Sequence, residues 1–264
     1  MSILVLVACW WIGTRTTSSV RRFTVVTLFP ELIEAFGATG IVRRAQDSGL
    51  MILTSINPRT FSENGTGRVD DSPYGGGPGM VMKVPAIRAA ITVARQGAPA
   101  VVAYLTPQGV PIDQLVLSNL CKHEHLVLVA GRYEGIDERI VERDIDIELS
   151  LGDFVLSGGE IAAMAVIDGI TRLIPGALGS ELSAASDSFS DGLLEHPQFT
   201  RPEIVDDQRV PGVLLSGNHE EIARWRHKQA LQRTLERRPD LIKAACLNEE
   251  DELLLAEIVR EISE

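Results

Sequence analysis

Three cysteines are all that this 264-residue chain holds. Cys9, Cys121 and Cys246 are far apart and odd in number, which argues against a disulfide framework and a clustered zinc site and fits a reducing, cytoplasmic home. Aromatic residues are scarce, at 5%. No apolar run reaches the roughly 20 residues that a membrane-spanning helix needs, and no segment repeats. Two nucleotide signatures are also missing. The glycine-rich stretch Tyr74–Gly79 lacks the Gly-Lys-Ser/Thr ending of a P-loop, and no G-x-G-x-x-G follows the first predicted strand. A P-loop ATPase and a dinucleotide-binding domain are therefore disfavoured. His123-Glu124-His125 offers little to a metal: in a strand the imidazoles would share one face and the carboxylate the other, with no third ligand nearby. It is read as a surface turn, and His219 as a helix-start residue.

What is present is a soluble composition, 45% apolar and long enough for one large or two smaller domains. Residues 1–20 carry a short apolar run ending near Cys9, but no positive charge precedes it and Arg21-Arg22 follow, unlike an export signal. They are expected to be a non-native or mis-started extension, because a well-patterned strand begins afresh at Phe23. Net charge is −11, yet residues 249–264 hold seven acidic residues and one arginine, leaving only −5 for the rest. Arg224, Arg226, Lys228, Arg233, Arg237 and Arg238 stand against Glu236 alone, a local basic surface to be weighed as a phosphate footprint against an ordinary solvated face.

Hydrophobic patterning predicts strands at Phe23–Phe29, Leu50–Ile56, Ala100–Leu105 and Leu126–Ala130, with helices near 30–36, 41–47, 85–96, 112–121 and 159–173. Residues 57–80 read mostly as loop, long enough to be functional or disordered. Alternating strands and helices imply an α/β fold with a mostly parallel sheet. Ligands of such sheets collect beyond the carboxyl ends of the strands. Three polar or glycine-rich turns, after Ala103, Ala130 and Leu149, fall at that end. Leu151–Glu160 is the most telling: an apolar strand end passes through paired glycines into a helix, so backbone N–H groups converge at the helix start. Capping alone would explain Glu160. Glu134, Asp137 and Glu138 beside Arg132 and Arg139 read equally well as a surface ion-pair network. The expected domains are 21–178, a ligand-binding α/β domain, 179–190, a flexible linker, and 191–264, a helical domain opening helices at His219, Pro239 and Glu249.

Several long motifs then combine. Val69–Met80, Tyr104–Gly109, Gly131–Arg139 and Leu151–Glu160, followed by Asp187-Ser188-Phe189, Asp191–Leu194, Thr200-Arg201-Pro202, Gly217-Asn218-His219 and Arg237-Arg238-Pro239, resemble the bacterial tRNA (guanine-N1)-methyltransferases in order and spacing. The resemblance covers roughly residues 22–245. It implies a SPOUT-class enzyme whose sheet carries a deep trefoil knot, an exception to the usual unknotted chain. The implied reaction methylates N1 of the guanosine immediately 3′ of the anticodon in tRNA, with S-adenosylmethionine as donor.

By that resemblance the cofactor is held by Tyr104, Leu105, Thr106, Pro107, Gly131, Tyr133, Ser150, Leu151, Gly152, Phe154, Leu156, Gly158 and Gly159. Asp187 matches the general base that takes the N1 proton, and Arg172 the arginine that offsets charge at guanine O6. Glu134 and Asp153 are expected to contact substrate, and Arg224 and Arg226, in the basic stretch, to contact tRNA phosphates. The family also implies a cytoplasmic homodimer with the site at the subunit interface, and a link to Mg²⁺ with no ligand set legible here. Phe154 stands where a tyrosine is common. Another SPOUT RNA methyltransferase, or a silent RNA-binding relative, is the competing reading; intact Asp187 and Arg172 disfavour the second.

Overall fold

The computed structural model describes residues 20–96, 99–179 and 187–263. The expected extension at 1–20 lies outside them except for Val20, as do residues 180–186 of the expected linker. The chain divides into two compact units, one holding residues up to Ile112 with Asn119–Thr171, the other Asp113–Ser118 with Arg172–Glu264.

The first unit is built on a five-stranded sheet of β1 (Arg21–Val26), β2 (Met51–Ile56), β5 (Val101–Pro111), β6 (His125–Ala130) and β7 (Ile147–Ser150), in the order β2-β1-β6-β5-β7. Every pairing in it is parallel. All six residues of β6 are buried, as a central strand covered on both faces requires, and this is why it reads as a continuous apolar run. Its side chains alternate: Val127 and Val129 join the cluster formed with Ala86, Ile87, Ala90 and Ile91 of α3 (Val84–Ala94), so Leu126 and Leu128 face the other way. Helix α6 (Glu160–Leu173) buries Ala162, Ala163, Val166, Ile167 and Ile170 at helical spacing. The remaining helices before α6 are α1 (Pro30–Gly37), α2 (Gly40–Asp47) and α5 (Glu138–Asp144), together with α4 (Gln114–Leu120), most of which belongs to the second unit.

Two sequence expectations change. His125 is not in a surface turn; it opens β6, pairs in register with Arg22, and lies buried with Nε2 3.0 Å from Thr24 Oγ1. Periodicity could not see this, because the partner that buries it is a hundred residues away in β1. The strand expected to end at Leu105 instead continues, so that Thr106–Gly109 lies inside β5, whose register breaks between Leu105 and Val110 while both residues pair with Leu149. The chain thus bulges outward and returns to the same neighbour. The stretch 57–80 is mostly loop, as expected, with two 3-10 turns, Pro58–Phe61 and Glu63–Gly65, and β3 (Asp70–Asp71), which pairs antiparallel with β4 (Val81–Met82).

In the second unit a short hairpin, β8 (Ile204–Val205) and β9 (Gln208–Arg209), precedes three helices, α7 (His219–Arg237), α8 (Pro239–Ala244) and α9 (Glu249–Ser263). Asn218 caps α7, accepting from the backbone N–H groups of Glu220 and Glu221. Leu193, Leu231, Leu254 and Ile258 form its core.

Candidate active site

A cleft of about 260 Å³ opens where the β5 bulge, the loop after β6 and the loop after β7 meet. All thirteen residues expected to hold the cofactor line it, together with Glu134. The structure adds Gln108, Gly135, Val155 and Ser157, which lie inside the motifs but had been given no role, and Leu149 and Ala162, which lie outside them. No lysine or arginine is among the lining residues, and Glu134 is the one carboxylate. The walls combine the apolar side chains of Leu105, Leu151 and Leu156 with glycine-rich main chain. Such a surface suits a neutral or cationic ligand with an apolar body and is unsuited to a polyphosphate.

The loops are locked by main-chain contacts that leave no room for side chains. Gly159 N–H donates to Gly131 O at 3.0 Å, and a Cβ on Gly159 would stand 2.8 Å from Ala130 Cα. Only glycine lets the start of α6 come this close to the end of β6. Tyr104 packs its ring on the bare faces of Gly131 and Gly135. Burial raises its phenol pKa, against the lowering effect of hydrogen bonds with Ile136 and Thr106. Tyr133 holds a left-handed backbone at φ 60°, a conformation that costs a non-glycine residue on the order of 1 kcal/mol or more and often marks functional loops.

The glycine-rich stretch also belongs here. Glu134 N–H donates to Met80 O at 2.9 Å and Met82 N–H to Gly135 O at 2.9 Å, so residues 80–82 run alongside the 131–137 turn. Gly79, at φ +85°, lies so close that a Cβ would meet the Glu134 carboxylate at 2.3 Å. The loop therefore serves to seat Glu134.

Arg132 and Glu160 were not expected to act together. Glu160 is buried at 1% exposure, accepts from Thr27 Oγ1 at 2.8 Å, and places Oε2 2.9 Å from Arg132 Nη2. Arg132 also donates from Nη1 to Ser157 O at 3.2 Å and stacks 4.3 Å over the Phe29 ring. This clasp ties the cleft loops to the start of α1, a role beyond helix capping. Twenty-seven residues separate the pair in sequence, so no local pattern announces it. Asp137 and Arg139, by contrast, form the exposed ion pair that the charge alternation suggested, and it holds the Asp137 carboxyl below its usual range.

In the second unit, the two expected catalytic residues meet. Arg172, in the last turn of α6, donates from Nη2 to Asp187 Oδ2. Both side chains remain partly exposed, at 41% and 37%. Asp153 does not line the cleft. Arg224 lies 3.4 Å from Glu257, and Lys228 reaches Glu257 and Glu261 at 3.4 and 2.7 Å. Arg226 has no ion-pair partner among the described residues.

Among the described residues no three His, Cys, Asp or Glu side chains are grouped to hold a metal ion. The Mg²⁺ implied by the resemblance thus finds no ligand set among the described residues. No helix there is long and apolar enough to cross a membrane.

Comparison with known proteins matches residues 21–244 to the family tRNA (Guanine-1)-methyltransferase TrmD. The chain is 54% identical over 242 residues to the tRNA (guanine-N(1)-)-methyltransferase of Pseudomonas entomophila, covering 91% of this chain and 97% of that one. It is 53% identical over 240 residues to the protein of that name in Pseudomonas aeruginosa UCBPP-PA14 (90% and 95% covered). For the one in Marinomonas sp. MWYL1, identity is 52% over 241 residues (91% and 96%).

Proposed function

Because the chain belongs to the tRNA (guanine-1)-methyltransferase family, we propose that it methylates N1 of the guanosine immediately 3′ of the anticodon in tRNA, using S-adenosylmethionine. The observation that carries the cofactor assignment is the cation-free, glycine-walled cleft with its single carboxylate, Glu134. A sulfonium with an apolar purine and a short amino-acid tail fits that chemistry; a dinucleotide does not. Bound there, S-adenosylmethionine supplies an electrophilic methyl group.

Guanine N1 is protonated at neutral pH and becomes nucleophilic only as its proton leaves and negative charge moves to O6. Asp187 takes that proton. Arg172, its ion-pair partner, has donors to spare and shifts toward O6 as charge develops there. General-base catalysis of this kind contributes about 10² to 10⁴ in rate. N1, so deprotonated, would accept the methyl group with loss of its bond to sulfur, the proton remaining on Asp187. Glu134 and Asp153 contact the substrate, and Arg226 its phosphates, while Arg224, also expected to do so, is already paired with Glu257. The family's trefoil knot would be tied by the cleft segments; the return of β5 to Leu149 and the Arg132–Gly158 bridge support that path. We assign residues 191–264 to tRNA binding, the enzyme to a homodimer with its site at the interface, and its location to the cytoplasm.

The test incubates the protein with S-adenosylmethionine and an unmodified tRNA carrying guanosine after the anticodon, then maps the methyl by nuclease digestion and mass spectrometry. Methyl at N1 of that guanosine is expected; methyl on ribose, or none, overturns the reading.

A further inference from the structure

The basic residues of α7 fall on two faces that the structure treats differently. Arg224 and Lys228, one helical turn apart, face α9 and are paired with Glu257 and Glu261, while His227 Nε2 lies 2.5 Å from Asp251. The acidic tail thus neutralises that side. Arg226, Arg233 and Arg237 follow at spacings of seven and four, which puts them on one stripe at 100° per residue. Among the described residues none of the three has an ion-pair partner.

That stripe begins at a second cleft. About 590 Å³ in volume, it is lined by Pro197, Phe199, Val210, Leu214, Leu215 and Ile222, with His196, Arg201 and Arg226 as cationic or potentially cationic groups. The one carboxylate in its wall, Glu203, is already held by Arg209 at 3.6 Å. Arg201, like Arg226, has no ion-pair partner among the described residues. Phe199 is 48% exposed and meets the Trp225 ring at 6.3 Å between centroids. An apolar floor with an exposed ring, beneath uncompensated guanidinium groups, matches a base and its phosphate.

From these features we infer that this cleft receives an unstacked nucleotide of the RNA substrate, its base on Phe199 and its phosphate between Arg201 and Arg226, with Arg233 and Arg237 continuing the phosphate track. The inference rests on the proposed action on tRNA and adds the place where the helical unit grips it. Unpaired loop bases are read by proteins in this way, through aromatic stacking and guanidinium contacts. The volume falls in the range of small-ligand sites.

The experiment uses the full chain with Trp10 and Trp11 changed to Phe, leaving Trp225 as the sole indole, and two probes, an unmodified tRNA transcript and a short oligouridylate. Both should quench Trp225 fluorescence. Phe199→Ala should weaken tRNA binding about tenfold and raise KM with kcat at saturating tRNA retained. Arg201→Ala with Arg226→Ala should weaken binding and flatten the salt dependence by about one unit of slope. Lys122→Ala, which removes an exposed charge outside the residues assigned to tRNA binding, should change neither. Unaltered KM, affinity and salt slope in the cleft variants overturn the inference, as does an equal loss in Lys122→Ala. Quenching by polyglutamate but not by oligouridylate assigns the cleft to an acidic protein and also overturns it. If no methyl reaches guanine N1 while oligouridylate still quenches Trp225 in a Phe199-dependent manner, the cleft stands and the proposed reaction falls.

Discussion

Helix α6 begins and ends with an arginine–carboxylate pair, and the two share little beyond their chemistry. Glu160, at the start, is 1% exposed and meets an Arg132 that is itself 19% exposed in side chain; Arg172, in the last turn, meets Asp187 with about two fifths of each side chain in water. Burial makes the first pair expensive to break, since removing one partner strands a desolvated charge. Exposure makes the second inexpensive to break, which is what a base that must release its arginine requires. The same two residue types therefore serve as a clasp in one place and as proposed reacting groups in the other.

The sharpest way to break this contrast is Asp187→Asn. It should lower kcat by about 10² to 10⁴ while shifting unfolding free energy by less than about 1 kcal/mol and leaving S-adenosylmethionine affinity intact. Single-turnover methyl transfer, urea unfolding and calorimetry read the three effects; lost cofactor affinity would move Asp187 to a structural role. The mirror experiment is Glu160→Ala, expected to cost about 3 to 5 kcal/mol in urea unfolding because Arg132 is left unpaired and the Thr27 hydroxyl unmatched. A cost under 1 kcal/mol would place the Arg132–Glu160 pair with the exposed ones.

Smaller effects test how tightly the clasp holds the cleft. Gly159→Val forces a side chain against Ala130 and should cost about 1 to 3 kcal/mol, with calorimetry showing weakened cofactor binding; unchanged binding would mean that the loop can shift without opening the cleft. The smallest concerns His125, whose pKa is lowered by burial and by Arg22. Below its unfolded value of about 6.5 the unfolded chain binds the proton that the folded one refuses, so stability falls with pH from there until the folded pKa is passed. Urea midpoints measured from about pH 7.5 to 5.5 should show that slope, and His125→Gln should flatten it.

Much of the cleft was legible in the sequence because its residues are contiguous in three motifs, each placed at the carboxyl end of a strand. Glycine there signals close backbone approach, and Gly131 and Gly159 do meet. The Arg132–Glu160 clasp was not legible, since it joins a loop to the start of a helix and their distance in sequence carries no period. His125 was misread for the same reason: what buried it is a partner strand. In the basic stretch, composition counted charges but could not sort them, and Arg224 and Arg226 looked alike until α9 neutralised one face of α7 and left the other open.

What the sequence determined by itself is the parallel α/β class, the family and the three loops that meet at the cleft, because these rest on local hydrophobic period and on long contiguous motifs. The tertiary structure alone decided which charges are paired and which are free, along with the Gly79 seat for Glu134, the Arg132 clasp and the second cleft beside Phe199. Electrostatic partnership depends on distance and burial between segments remote in the chain, and neither quantity exists until the chain has folded.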